Sequence, residues 1–454
     1  MTEADLISLL PKLEAFHGQF HRFFCRSEGR RWALRYLTGL LLSVERKNIE
    51  NLAEEIGAPP RRLQQFIRPW DDAGCIEELQ RFVGEAFGSP NGILILDDTG
   101  FAKQGACSAG VGRQYSGTLG RVDNCQVGVF LDYASAHGHT LVDRRLYLVE
   151  DWFDAEGSSR RQRSGIPDEL PFETKLDLGL QMWRQAHEGG HLPYQWVTGD
   201  GAYGECHDFR AAIAQAGKWY CFEVRSSAQV WKTDPGWRVP PATAGRGAVP
   251  KRRQPQPDSP TAMTVAALTA TLPAEAWVRH RVCEGSKGPR EYEFARIRIV
   301  EKRHHQPASE GWMLARRPVE TAEETTRKTQ YYLSNAPQTV ALDELAWVGC
   351  MRWAIEDDFA LAKGETGLDH YEVTKFRGWY HHITLSLLAL AFLKGVQKEG
   401  GKKRDDRIGS GDSGLAAVRS SAGSMGFGET PQMVSNAAAP EGTIPAGASR
   451  TLVA

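Results

Sequence analysis

No stretch of the chain reaches the roughly 20 consecutive apolar residues that cross a bilayer as a helix, and the N-terminus lacks the basic-then-apolar pattern of a secretion signal. A cytoplasmic protein is therefore expected. Neither sign of charge is in excess: 55 Lys and Arg stand against 56 Asp and Glu, a net charge of −1. Any contact with nucleic acid must come from local basic patches, not from a basic whole. Cysteine is sparse, with eight in 454 residues, and no pair has the close spacing of a zinc site or redox motif. Isolated reduced thiols are the simple reading. No glycine loop followed by Lys-Ser/Thr appears, which argues against P-loop chemistry. What remains, 41% hydrophobic and 24% charged, is an ordinary globular composition with room for two or three domains.

The stretch the rest is organised around is Gly92 to Phe101, Gly-Ile-Leu-Ile-Leu-Asp-Asp-Thr-Gly-Phe. Four bulky apolar residues, Ile93 to Leu96, fit a short strand buried on both faces, which then ends on Asp97 and Asp98. Ionised groups at the edge of a core are costly unless a cation or hydrogen bonds compensate, so both are candidate metal ligands. The alternative is that one of them caps a turn at Thr99-Gly100.

Residues 1–90 read as helical, with Trp32 to Leu42, Lys47 to Ile56, a break at Gly57, and a short helix after Pro59-Pro60 that opens with Arg61 and Arg62. Helix, glycine turn and helix is the pattern of a helix-turn-helix and equally of a small bundle. Thr99 to Asn124 reads as a glycine-rich, partly basic loop. A hairpin follows, Gln126 to Tyr133 and Thr140 to Glu150, then a helix from about Thr174 to Glu188. Tyr194 to Val197 forms a strand running into Thr-Gly-Asp200-Gly-Ala-Tyr-Gly, so another apolar strand ends on a carboxylate. A helix from Cys206 to Gln215 and a strand from Trp219 to Val224 complete a strand-helix-strand unit, which implies α/β architecture. Residues 226–328 form an insertion: a Pro/Gly/basic arm at Pro235 to Pro260, then strands near Trp277 to Cys283, Tyr292 to Val300 and Gly311 to Arg316. Alternation puts Arg296, Arg298 and Lys302 on one side, suited to a phosphate backbone or to simple solvation. Helical periodicity resumes at Leu342 to Lys363 and Trp379 to Val396. From Gly400 to Ala454 large apolar residues are too few to offset ordering entropy, and disorder is expected.

If Asp98 and Asp200 hold metal, a third acidic ligand is wanted. Glu356, Asp357, Asp358 and Glu365 compete. At about 100° per residue, Arg352, Glu356 and Lys363 fall within roughly 40° of one another, beside an apolar stripe of Met351, Ile355, Phe359 and Ala362. Glu356 alone shares a face with two cations, which suits either a metal site or a helical Arg-Glu pair.

Together, the Leu-Asp-Asp-Thr-Gly strand, the Thr-Gly-Asp-Gly-Ala-Tyr-Gly strand end, the strand-rich insertion and Arg352-x3-Glu356-x6-Lys363 resemble a bacterial insertion-sequence DDE transposase of the cut-and-paste group with a Tyr-Arg-Glu-Lys signature. The resemblance covers roughly Gly92 to Leu393. It implies an RNase H-like mixed sheet flanked by helices, in two parts at 91–225 and 329–399, around an inserted β-rich subdomain at 226–328, with an N-terminal helical domain at 1–90 as a candidate DNA-binding domain and a tail at 400–454. It implies Asp98, Asp200 and Glu356 as the metal-binding catalytic triad for Mg²⁺, with Mn²⁺ able to substitute; Asp98 is preferred because the motif places the ligand directly before Thr. Arg352 and Lys363 match positions that engage DNA near the cleaved end. The implied partners are double-stranded terminal repeats and target DNA, bound by a homodimer in the bacterial nucleoid. One departure stands out: the Tyr three residues before Arg falls on Gly349, and Trp347 or Trp353 is the nearby aromatic available instead. Two rivals remain: a transposase-derived DNA-binding protein that no longer cuts, and a sugar hydrolase using Asp98 and Glu356 as acid and base.

Overall fold

The computed structural model describes residues 3–405, apart from 68–69, 118–119, 156, 242–250, 286–287, 304–309 and 320–327. The expectation of disorder for the tail lies outside the described residues from 406 onward; residues 400–405 are the end of the last helix.

Five helices lead the chain: α1 (Glu3–Gly18), α2 (Ser27–Leu41), α3 (Ile49–Glu55), α4 (Pro60–Phe66) and α5 (Asp72–Phe87). Asn48 caps α3 by accepting from the Asn51 amide, Gly57 turns the chain at φ +61°, and Pro60 opens α4 where its missing N–H costs nothing. Then come β1 (Ile93–Ala102), β2 (Gly112–Ser116), β3 (Arg121–Ser135), β4 (Gly138–Tyr147), α6 (Gly157–Ser164), α7 (Lys175–Gly189), β5 (Trp196–Gly199), α8 (Gly201–Glu205), α9 (His207–Gln215) and β6 (Trp219–Val224). The insertion supplies β7 (Gln229–Trp231), β8 (Trp237–Arg238), β9 (Gln254–Pro255), β10 (Met263–Thr264), α10 (Val265–Ala270), β11 (Val278–Gly285), β12 (Gly288–Glu301) and β13 (Glu310–Pro318). The chain closes with β14 (Gln330–Ser334), α11 (Leu342–Cys350), α12 (Arg352–Thr366) and α13 (Phe376–Asp405).

All described strands except the β8–β9 pair join one twelve-stranded sheet, ordered β10-β7-β12-β13-β14-β6-β5-β1-β3-β2, with β11 on β12 and β4 on β3. Only β1–β5 and β5–β6 are parallel. This is the mixed, helix-flanked sheet of an RNase H-like fold. Apart from the β8–β9 pair, the insertion does not build a separate sheet: β14 pairs β6 on one side and β13 on the other, so the remaining strands extend the same one.

Three further expectations are corrected. β1 does not stop at Asp97-Asp98 but runs on to Ala102, paired with β3 throughout, because antiparallel β3 continues past the point where β5 ends. The segment after it is not all loop, since β2 and the start of β3 form a hairpin there. The helix from Leu342 is broken at Met351 into α11 and α12.

One apolar cluster runs from Leu13 in α1 through β1 to Phe392 in α13, and a smaller one, with Val230, Val265, Ile299 and Met313, lies under α10. α13 sits at the centre of the large cluster. Its His382 bonds Tyr36 Oη at 2.8 Å and its His381 bonds the Ile67 carbonyl at 2.6 Å, so the N-terminal helices share a core with it. No described helix is long and apolar enough to cross a membrane.

Candidate active site

The sheet register creates the site. Ile93 to Leu96 pair in parallel with Trp196 to Gly199, so Asp97 and Asp200 are the next residues on neighbouring strands, at the carboxyl ends where α/β sheets open a crevice. Asp200 also caps α8, its Oδ1 accepting from the Ala202 amide at 3.0 Å and the Tyr203 amide at 3.4 Å. Gly204 lets α8 lie on β6: a Cβ there would stand 1.8 Å from the Glu223 carbonyl oxygen.

Strand alternation then sends Asp97 and Asp98 to opposite faces. Asp97 and Thr99 face α12, where Arg352 Nη1 lies 3.6 Å from Asp97 and Lys363 Nζ donates to Thr99 Oγ1 at 2.8 Å. The same guanidinium reaches Glu356 through Nη2 at 2.8 Å, so Asp97 and Glu356 share one cation. Asp98 faces α7 and pairs with Lys175 Nζ at 3.1 Å. Lys175 is held at the start of α7 by a capping box between Thr174 and Asp177.

Positive charge is short here. Burial pushes Asp97 up to about 7, with the Arg352 guanidinium opposing and Asp200 adding to the rise. Asp98 is raised by burial, against the pull of Lys175 and with Asp200 reinforcing it. Beneath them Tyr203 is buried, its hydroxyl without a hydrogen-bond partner, and burial with Asp98, Asp200 and Asp97 nearby drives it far above its ordinary range. Hard carboxylate oxygens that outnumber the cations paired with them, beside an orphaned hydroxyl, are a donor set that fits a divalent cation. The structure thus gathers Asp97, Asp98 and Asp200 at one edge and brings Glu356 and Arg352 to Asp97.

Other expectations divide. Arg296 and Arg298 do share a side, but their guanidinium carbons lie 4.3 and 4.8 Å from the Trp312 ring centroid, and they bond the Val340 and Ala336 carbonyls. Much of that charge is committed within the protein. Gly349 is buried on α11, and a Cβ there would meet Leu314 Cδ2 at 3.2 Å, which leaves no room for a tyrosine.

Among the described residues, a tight group of possible metal-ligand side chains is His139, Asp357 and Asp358, with donor atoms within 4.8 Å of one another. It lies on the far side of α12 from Glu356, and an ammonium already fills it: Lys394 Nζ is 2.6 Å from Asp358 and 3.5 Å from Asp357. Lys175, Tyr203 and this network carried no signal in the sequence, apart from the Thr174-x-x-Asp177 cap that starts α7.

The sequence from residue 15 to residue 289 matches the DDE superfamily endonucleases, and the chain belongs to that family. It is accordingly a nuclease- or transposase-type protein, of a superfamily that acts on DNA with divalent metal. The matched region contains Asp97, Asp98 and Asp200 and ends before α12. No curated protein matches the chain.

Proposed function

We propose that the protein is an insertion-sequence transposase of the Tyr-Arg-Glu-Lys type, which cleaves DNA at the element's ends and joins the freed 3′-hydroxyl to target DNA. The observation that supports this best is the convergence of Asp97, Asp98 and Asp200 at the ends of two parallel strands, with Glu356 tied to the same edge through Arg352. Asp98, Asp200 and Glu356 are the proposed ligands for two Mg²⁺, with Mn²⁺ able to replace them; Glu356 lies with Asp97 on the face of β1 opposite Asp98, so this set requires Glu356 to shift toward Asp98 when metal binds. Bound cations at such a site lower the pKa of an attacking water and stabilise the leaving 3′ oxygen.

The chain's own groups do the rest. Asp200, fixed as a helix cap, cannot swing away from the sheet edge. Arg352 holds Glu356 at that edge until a phosphate competes for its fork of donors. Lys363, half-buried beside Thr99, offers an ammonium whose affinity for its proton is lowered by that partial burial, a state that favours pairing with an incoming phosphate. The exposed Arg61 and Arg62 at the start of α4 are proposed to meet duplex flanking the cleaved end, with two copies of the chain acting on paired ends.

The test is cleavage of a labelled duplex carrying the flanking ends of this gene's own element, in Mg²⁺ or Mn²⁺ against EDTA. Metal-dependent nicking at the boundary, abolished by Asp200→Asn and by Glu356→Gln while DNA binding persists, is the expected result. Cleavage retained in Asp200→Asn refutes the scheme, and binding without cleavage in either metal identifies a non-catalytic DNA-binding protein.

A further inference from the structure

The carboxylate edge already contains two internal cations, and they differ. Arg352 is shared between Asp97 and Glu356, whereas Lys175 is given wholly to Asp98, at 3.1 Å, from the opposite face of the sheet. We propose that Lys175 is a resident counter-ion that occupies Asp98 until metal arrives, so that metal loading and the Lys175–Asp98 pair exclude one another. The inference rests on the proposal that these carboxylates hold divalent metal.

Three features carry it. Asp98 is half-buried, its side chain 30% exposed, and Asp200 adds negative charge beside it, so an ionised Asp98 favours a positive partner in the metal-free protein. Lys175 supplies that partner from a flexible four-carbon stem, with its side chain still 32% exposed, so it can leave for solvent cheaply. Its backbone, by contrast, is pinned: Thr174 and Asp177 close the capping box, and Gly179, one turn on, lets the Tyr203 ring pack against α7, with its Cε1 atom 2.7 Å from where a Cβ would stand. The ammonium is therefore kept within reach of Asp98 yet free to swing. Released, it becomes a mobile positive charge at the edge of a site built for a polyanion.

Because the two cations compete for one carboxylate, removing the lysine must tighten metal binding, by the reciprocity of coupled equilibria. Loss of a part-exposed ion pair corresponds to about a twofold to fivefold change in affinity. The experiment is titration of the full-length protein with Mn²⁺ at pH 8, read by the loss of the free-ion electron paramagnetic resonance signal, for wild type, Lys175→Met, Lys175→Arg and Asp200→Asn. The expected result is about twofold to fivefold tighter Mn²⁺ binding in Lys175→Met, near-wild-type binding in Lys175→Arg, which keeps the charge, and loss of the site in Asp200→Asn. Wild-type binding that Lys175→Met leaves unchanged or weakens overturns the counter-ion role, as does an equal shift in Lys175→Arg, which would mark a packing effect. Absence of any Mn²⁺ site sensitive to Asp200→Asn overturns the metal reading and this inference with it.

Discussion

Replacing Lys394 by methionine should cost the protein a large share of its stability, although the residue touches neither the sheet edge nor any proposed DNA contact. Asp132 on β3 and Asp358 on α12 are both fully buried and face each other. Burial, with the charge of the neighbouring Asp358 adding to it, raises Asp132 well above the ordinary carboxylate range, and neither of its carboxyl oxygens has a hydrogen-bond partner. Burial opposes the charge on Asp358, but His139 Nδ1 at 2.9 Å and Lys394 Nζ at 2.6 Å outweigh it and hold its pKa low. Lys394 is thus, with His139, one of two cationic groups facing a buried anion.

Methionine matches the stem of lysine and removes only that charge, so the cost isolates the electrostatic loss. Breaking a buried pair from one side costs about 3–5 kcal/mol, because the other charge is left without compensation. For a body of this size each kcal/mol lowers Tm by roughly 2 °C, which gives a fall of about 6–10 °C. Thermal unfolding at pH 7 followed by circular dichroism measures it. The double variant Lys394→Met/Asp358→Asn should recover much of the loss, since no anion then remains to be stranded. A single-variant loss below about 1 kcal/mol, or a double variant worse than the sum of the singles, refutes the reasoning. The network also fastens α12 to β3 two residues beyond Glu356, so Lys394→Met should loosen the placement of that carboxylate as well.

Two other perturbations test how the scaffold is held. Glu301 is buried beside Arg210, and although burial alone would raise it, hydrogen bonds from His207 and Arg210 and the charges of Arg210 and Arg303 depress its pKa strongly. A depressed carboxyl contributes stability that is present above its unfolded value of about 4.5 and is lost as pH falls below it. Glu301→Gln should therefore cost about 3–5 kcal/mol at pH 7 and flatten the fall in stability toward pH 3; urea midpoints that run parallel for variant and wild type across that range would contradict this. Gly204→Ala should push α8 off β6, since its new methyl would stand 1.8 Å from the Glu223 carbonyl oxygen, and so displace Asp200. A loss of about 1–3 kcal/mol with weakened Mn²⁺ binding is expected, and unchanged values of both would show that α8 does not set the position of Asp200.

What the sequence discloses about this site follows from which interactions are local. The apolar run Ile93 to Leu96, the strand Trp219 to Val224 and the stripe of Met351, Ile355, Phe359 and Ala362 all declare themselves within a few residues, and each lies in the core. The continuation of β1 through Asp97 and Asp98 does not, because two carboxylates read as a stop unless antiparallel β3 is known to carry the ladder onward. The extension of the sheet through β14, β13 and β12 is hidden for the same reason, since it depends on pairing between strands with no local cue to their partners. Charge compensation is the most distant of all. Lys175 stands 77 residues from Asp98, and His139 stands 219 from Asp358, which from the sequence looks like one more solvated acid on a helix. Carboxylates at strand ends therefore announce the class of chemistry, whereas the cations that decide whether those carboxylates are charged, paired or open to metal emerge only from the fold. Control of such a site is consequently the part of its function least accessible from sequence, and Lys175 and Lys394 are where it should be sought.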